Sequence, residues 1–335
     1  MVRMGDRVTL SDVADAAEVH VSTASRALNV SSRSVVRPET VARVLAAAAE
    51  LGYRPHPLAR GLRTSRSDSV GVVIPDLENP LFGPIVAGIE RTLVPEGCSV
   101  LIAAAGHHDE EEVVQSLVDR RVDGLILATA QRVDPVVEAL SKASTPIVLV
   151  NRQVESVDVP AVVGDDQIGV RLAVDHLVEL GHTTIGHVAG PSELSTGYGR
   201  RLAYEQAMHD YGFRVLVEDG LGFRVAPGEE ATRRLLEREP SITAIVAAND
   251  LLGLGAYRTA RALGRRVGTD IAITGYNDVA MLDLMEPPMT AVHINFRRMG
   301  TVAAENLLAQ VGGTPAPSNS LLKPTLSVRA STTGD

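Results

Sequence analysis

The sequence predicts a small all-α head at the N-terminus and a larger α/β body of two lobes with parallel sheets. Short helical patterns fill the first 52 residues, and a Pro-containing stretch follows them. From Ser69 onward, apolar β-branched runs alternate with helical patterns, and this alternation starts again near residue 185. A chain of 335 residues is long enough for about two domains with their own cores.

The composition excludes several classes of protein. Apolar residues make up 45% and charged residues 22%, a balance typical of folded globular chains and not of collagen, coiled coils or disordered chains. No apolar run reaches the ~18 residues of a membrane span, and residues 1–10 lack the apolar stretch of a signal peptide. The single cysteine, Cys98, excludes a disulfide framework and a thiolate zinc cluster. We therefore expect a cytoplasmic protein.

Charge is unevenly distributed along the chain. The total is −9, but residues 1–66 contain ten arginines and six acids, a net charge of +4, which leaves −13 for the remainder. A basic head on an acidic body favours a polyanion as the partner of the head alone. The same count also fits an ordinary solvated helical surface.

Three short helices are predicted in the head. Thr9 is a predicted N-cap, a second helix spans residues 21–29, and a third opens at Pro38 and ends at Gly52. Two short helices with a tight turn and a bracing third helix form a helix-turn-helix arrangement. The second helix carries small polar side chains and Arg26 on its outer face. Such a face suits the major groove of DNA, where arginine can bind guanine, although a plain solvent face is the alternative.

Five blocks of the head resemble, in order, those of the lactose-repressor (LacI/GalR) family of bacterial transcription regulators. They are TLSDVA (9–14), VSTASRALN (21–29), RPET (37–40), LGYRP (51–55) and LARGL (58–62). The resemblance implies base contacts from Val21, Ser22 and Arg26 and phosphate contacts from Thr23, Ser25 and Asn29. Residues 55–66 would form a hinge helix on the operator, with Leu62 wedged into the minor groove. The implied DNA-binding set is Thr9, Val21, Ser22, Thr23, Ser25, Arg26, Asn29, Tyr53, Ala59, Arg60, Leu62 and Arg63.

The chain departs from the family pattern at several positions. Glu18 replaces the usual turn glycine, His20 replaces a common serine, and His56 replaces an asparagine of the hinge. In the body, Asn277 stands where sugar-binding relatives usually have aspartate. Leu194 replaces an arginine of the purine-responsive branch, which disfavours a purine effector.

Seven buried strands are predicted in the body. They start near residues 70, 99, 124, 146, 185, 244 and 271, and helical patterns lie at 83–95, 110–120, 134–143, 167–180, 197–211, 228–238 and 250–263. The resemblance implies a periplasmic-binding-protein-like body, in which the chain crosses between the lobes three times. A ligand is expected in the cleft, at the carboxyl ends of the strands.

The expected effector site combines polar strand ends with aromatic walls. Asn151, Arg152, Asn249 and Asn277 follow predicted strands, and paired amide and guanidinium groups suit adjacent sugar hydroxyls. Asn and Asp also favour caps and turns, which is the alternative for each position. The resemblance completes the pocket as Leu81, Phe82, Asn151, Arg152, Asp165, Thr196, Arg200, Phe223, Asn249 and Asn277. A neutral sugar or sugar derivative is the expected effector.

The sequence contains no catalytic constellation. The stretch 196–200 (TGYGR) lacks dinucleotide and P-loop spacing, and the histidines at 107, 108, 182 and 187 lack a metal-binding pattern.

We expect a head at 1–54, a hinge at 55–66 and an effector-binding and dimerisation body at 67–335. The expected protein is an allosteric repressor that binds operator DNA as a homodimer, with a tetramer as the other possible assembly. When bound to the operator it is expected to associate with the nucleoid. No cofactor, metal or membrane partner is expected. The alternatives are a sugar-binding transport component and a doubly wound sugar-converting enzyme.

Overall fold

The computed structural model describes residues 8–28, 30–53, 66–106, 109–143 and 145–334, without the side chains of 30–32. The chain divides into two compact units at the bond between Ser67 and Asp68. None of the helices in these ranges is long and apolar enough to cross a membrane.

The head is a bundle of three α-helices and one 3-10 helix. The α-helices are α1 (Leu10–Ala16), α2 (Val21–Leu28) and α3 (Pro38–Glu50), and the 3-10 helix spans Val30–Val35. Thr9 caps α1 through a reciprocal pair of hydrogen bonds with Asp12, as predicted. The core of the bundle is small because alanines fill much of it, and its fully buried members are Val13, Ala14, Ala24, Ala27 and Val44.

The turn between α1 and α2 contains a strained residue. Glu18, at the position of the usual glycine, has φ of 49°, a left-handed conformation that costs a non-glycine residue about 1–2 kcal/mol. After α2, the guanidinium of Arg33 donates to the carbonyl of Ala27 at 3.0 Å and so satisfies an open carbonyl of the helix C-terminus.

The first lobe of the body is a six-stranded parallel sheet with helices on its faces. Its strands run in the order β11-β5-β4-β3-β1-β2. They are β1 (Ser69–Ile74), β2 (Ser99–Ala104), β3 (Gly124–Leu127), β4 (Ile147–Val150), β5 (Ala161–Gly164) and β11 (Asn319–Leu322). The helices are α4 (Phe82–Leu93), α5 (Glu110–Asp119), α6 (Pro135–Ser141) and α11 (Phe296–Val311).

The second lobe repeats this plan. Its strand order is β12-β10-β9-β8-β6-β7, and only β12 is antiparallel to its neighbour. The strands are β6 (Ile185–Ala189), β7 (Val217–Asp219), β8 (Ala244–Ala247), β9 (Ala272–Asn277), β10 (Thr290–His293) and β12 (Thr325–Ser327). The helices are α7 (Asp166–Glu179), α8 (Ser195–Asp210), α9 (Val225–Arg238), α10 (Asp250–Ala262) and α12 (Ala330–Thr333).

The chain passes between the two sheets three times, which confirms the expected topology. The crossings follow β5, β10 and β11. The second crossing delivers α11, which packs closely on α4 because glycines lie at the contact. A methyl group at Gly88 or Gly300 would stand 2.1 or 2.0 Å from the carbonyl oxygen of Arg297 or Ile85, respectively.

Candidate DNA-contact surface and ligand cavity

Helix α2 separates its buried and exposed residues cleanly. Ala24 and Ala27 are fully buried against the neighbouring helices. Val21, Ser22 and Arg26, the predicted base-facing residues, are exposed on the opposite side. The surface that could enter a groove is therefore made of two small side chains and one long cation.

The other predicted DNA contacts have mixed positions. Thr9 is exposed, but its hydroxyl is bonded to Asp12 at 2.8 Å as part of the cap. Thr23 and Ser25 are half-buried, and burial raises the pKa of the half-buried Tyr53. Five predicted contacts lie outside the described residues, namely Asn29, Ala59, Arg60, Leu62 and Arg63.

His20, which departs from the family pattern, contacts the predicted recognition surface through its ring. Its Nδ1 lies 2.8 Å from Ser22 Oγ and accepts the backbone N–H of Ser22 at 3.3 Å. The imidazole thereby takes the place of a serine or aspartate side chain at the start of α2.

A cavity of about 380 Å³ lies between the two lobes of the body, within the usual range of small-molecule sites, ~300–1,000 Å³. It opens at the carboxyl ends of strands from both sheets, as the sequence predicts. Nine of the ten predicted effector residues line it: Leu81, Phe82, Asn151, Arg152, Thr196, Arg200, Phe223, Asn249 and Asn277.

Asp165 is the exception and does not line the cavity. Its carboxylate accepts the backbone N–H of Ile168 at 3.0 Å and caps α7. Helix capping is the alternative that the sequence allows for every polar residue at a strand end, and Asp165 has this role. Asn249 combines the two roles, because it lines the cavity while its side chain caps α10 through Leu252 N–H at 2.8 Å.

Arg200 is the most tightly held cation of the cavity wall. Its Nε donates to Asp166 at 2.9 Å, its Nη1 donates to the carbonyl of Ala248 at 2.7 Å, and its guanidinium lies 3.7 Å from the centre of the Tyr276 ring. Burial, the largest single effect, lowers the pKa of Arg200, but Asp166, Tyr276 and Asp250 together outweigh it, so the pKa of Arg200 is raised. The arginine is therefore a fixed, permanently charged donor.

Arg152 is held less completely. One guanidinium nitrogen donates to the Thr129 carbonyl at 3.0 Å, whereas the buried Nε has no hydrogen-bond partner among the described residues. Burial lowers the pKa of Arg152 to about 10 and also raises the pKa of nearby Glu110. An unsatisfied buried donor favours a ligand that brings an acceptor.

Two asparagines of the cavity have left-handed backbones. Asn151 has φ of 67° and Asn277 has φ of 113°. Both are buried, and Asn277 Oδ1 has no donor within the part of the chain that the structure describes. Strained polar residues of this kind concentrate at ligand sites.

Phe82 and Phe223 form opposite apolar walls, from the first and the second lobe respectively. Phe223 lies so close to Gly190 that a methyl group there would stand 2.3 Å from its ring. Because glycine has no side chain, the Phe223 ring can pack directly against the backbone of Gly190 at the cavity.

Several cavity residues were not predicted as part of the site, and two of them form an ion pair across the cleft. Arg224 of the second lobe binds Asp76 of the first at 2.6 Å across the cleft. At the side of the cleft, Arg132 lies 3.5 Å from the Tyr198 ring centre, and Gln153 N–H donates to Ser195 Oγ at 3.0 Å. The additional polar or apolar lining includes Asp76, Asn79, Glu193, Leu194, Leu221 and Arg224.

Comparison with known proteins identifies the chain. The model of the family described as bacterial regulatory proteins, lacI family, matches residues 9–56, and that of the periplasmic binding protein-like domain matches residues 174–332. The HTH-type transcriptional regulator CelR of Thermobifida fusca is 36% identical over 342 residues, covering 97% of this chain and 98% of CelR. The chain belongs to the LacI family.

Solved structures agree with this membership. The lac repressor dimer bound to operator and an anti-inducer superposes with a TM-score of 0.87 at 29% identity, over 98% of this chain and 99% of the other. A CelR–cellobiose complex gives 0.74 at 34% identity, over 97% and 100%. This LacI-family chain is a DNA-binding transcriptional regulator and not an enzyme. The match of the head to the family's DNA-binding domain also argues against a transport component.

Proposed function

We propose that this LacI-family chain is a cytoplasmic repressor that binds a near-palindromic operator as a homodimer and responds to a neutral sugar in the cavity. On DNA it would be part of the nucleoid. The head at 1–54 would bind DNA, the residues at 55–66 would form the hinge, and the body at 67–335 would bind the effector and dimerise.

The exposed face of α2 supports major-groove binding. Val21 and Ser22 are small enough for close approach, and Arg26 can donate two parallel hydrogen bonds to guanine. Thr23, Ser25 and Asn29 would then face the phosphates and fix the register. Leu62 would wedge into the minor groove, and Arg60 and Arg63 would hold neighbouring phosphates.

The donor and acceptor pattern of the cavity is the observation on which the sugar assignment rests. Arg152 and Asn277 line the cavity and each has a buried polar atom without a partner among the described residues, and Arg200 adds a fixed cation. Phe82 and Phe223 supply apolar walls for a ring face. A polyhydroxylated ring satisfies both kinds of partner at once. The relative CelR is described in complex with cellobiose, and a cavity of about 380 Å³ accommodates ligands of that size class.

Control of DNA binding would come from lobe closure. A ligand in the cleft touches both lobes, so it favours whichever relative arrangement of the lobes it fits best. A coupling of ~1–3 kcal/mol between cavity and head is enough for a five- to hundredfold change in operator affinity.

The test begins with selection of genomic fragments by the purified protein, followed by binding measurements on the selected duplex. Arg26→Ala should remove the preference for one base pair, whereas Arg43→Ala on α3 should leave the base preference intact. Thermal shifts with glucose, cellobiose, maltose and adenine, followed by operator titrations with each compound that binds, test the effector. Failure to enrich any fragment, or a response to adenine alone, would contradict the proposal. Catalytic turnover of a bound sugar would favour the alternative enzyme.

A further inference from the structure

We propose that His20 fixes the hydrogen-bonding polarity of Ser22, so that this serine reads an amino base, adenine or cytosine, in the major groove. The inference rests on the proposed entry of α2 into that groove. It adds a positioning residue that sets base preference, one that lies outside the predicted DNA-contact set.

The backbone decides the tautomer of His20. The N–H of Ser22 donates to Nδ1 at 3.3 Å, and a backbone N–H can only donate. Nδ1 must therefore carry a lone pair, and in the neutral ring the proton is on Nε2.

The tautomer in turn decides the orientation of the Ser22 hydroxyl. Ser22 Oγ lies 2.8 Å from the same Nδ1. Because Nδ1 has no proton to give, the hydroxyl is the donor of this hydrogen bond. A hydroxyl has one proton and two lone pairs, so Ser22 keeps only acceptor capacity toward its open side.

An acceptor at this position distinguishes two classes of base. In the major groove, adenine N6 and cytosine N4 are donors, whereas thymine O4 and guanine O6 are acceptors. Ser22 is exposed on the same side of α2 as Val21 and Arg26, opposite the buried Ala24 and Ala27. Its lone pairs therefore favour an amino base at the contacted position and disfavour a keto base.

A purely structural role for His20, as a cap of α2, makes a different prediction. Loss of a cap weakens binding to every sequence, because the whole helix becomes less stable. Loss of the polarity control changes the preference at one position only. A base-preference profile separates the two roles, and a melting temperature does not.

The experiment uses the purified full chain and a duplex library randomised across the selected half-site, with sequencing of the bound fraction. For the wild type we expect one position at which amino bases exceed keto bases by roughly three- to tenfold, the value of one hydrogen bond. Ser22→Ala should abolish that preference. His20→Ala should reduce it to about twofold or less, because the freed hydroxyl can then donate to a keto base. His20→Asn, whose amide oxygen can accept both hydrogen bonds, should retain it.

Three results would overturn the inference while leaving the DNA-binding function intact. They are a Ser22-dependent preference for keto bases, an unchanged profile in His20→Ala, and an equal loss of the profile in His20→Asn and His20→Ala. Unfolding curves of each variant establish that the compared profiles come from folded protein, and Ser22→Ala tests the preference independently of His20. A library with no enriched motif would instead overturn the proposed DNA recognition itself, and this inference with it.

Discussion

Replacing Arg200 by alanine should destabilise the body by about 3 kcal/mol. The substitution leaves the Asp166 carboxylate and the Ala248 carbonyl without the partners they now have at 2.9 and 2.7 Å. Breaking a buried ion pair costs about 3–5 kcal/mol. The Asp166 side chain is 18% exposed, so water recovers part of its loss and the lower end applies. For a unit of this size, that loss lowers Tm by about 6–12 °C.

Arg171 provides a matched control on the same lobe. It binds Asp175 at 2.6 Å and Asp210 at 2.7 Å, so its ion-pair distances are at least as short as those of Arg200, but its side chain is 41% exposed. Exposed ion pairs contribute about 0–1 kcal/mol each, so the loss of both in Arg171→Ala should cost at most about 2 kcal/mol and lower Tm by at most about 8 °C.

Scanning calorimetry and urea unfolding of both variants test this contrast. Adding Asp166→Asn to Arg200→Ala should restore at least about 1 kcal/mol, because the uncompensated carboxylate is then removed. Equal losses for the Arg171 and Arg200 variants would refute the reasoning, since burial would then not be what makes the Arg200 ion pair important.

Three further substitutions test other parts of the structure. Arg224→Ala removes the ion pair with Asp76 and the longer, more exposed one with Glu78 across the cleft, together worth ~0.2–1 kcal/mol. Dissociation of the effector in stopped-flow should therefore accelerate by up to about fivefold, and Arg214→Ala, whose ion pair lies within one lobe, should leave it unchanged. Glu18→Gly should stabilise the head by about 0.5–1 kcal/mol, because glycine adopts φ of 49° freely. Glu50→Gly, at a helical position, should destabilise the head by a similar amount. Hydrogen exchange of the head amides measures both changes. Burial lowers the pKa of His187 to about 4, so the native state resists protonation. The wild type should lose up to about 3 kcal/mol in urea unfolding as pH falls from 6.5 to 4, and a His187→Phe profile as steep as that of the wild type would contradict this.

The strands that the sequence predicts are those with continuous apolar runs. All seven are present, and six are buried, because strands covered on both faces appear as unbroken apolar runs. The prediction of burial was wrong for β2, which lies at the edge of its sheet and has only exposed or half-buried residues. The five missed strands are only three or four residues long, and β7, β11 and β12 are largely unburied. Helix α11 was missed because part of its packing face consists of Gly300 and alanines, which pack backbone against backbone.

The same physics limits what the sequence shows of the cavity. Asn151, Asn249 and Asn277 could be placed there because parallel strands bring their carboxyl ends to one edge. Asp76 and Arg224 could not, because they are 148 positions apart and lie on different lobes. Pairing across a cleft leaves no local pattern in the chain.

The departures from the family pattern in the head mark where this chain differs physically from its relatives. At Glu18, where the family usually has glycine, the backbone has a left-handed φ of 49°, and the cost is strain. At His20, where the family commonly has serine, the acceptor at the start of α2 is a ring nitrogen with one fixed lone pair rather than a rotatable hydroxyl. A hydroxyl can reorient with its partner, whereas the neutral ring in this tautomer cannot. The first substitution therefore affects stability alone, and the second can alter which bases the neighbouring Ser22 accepts.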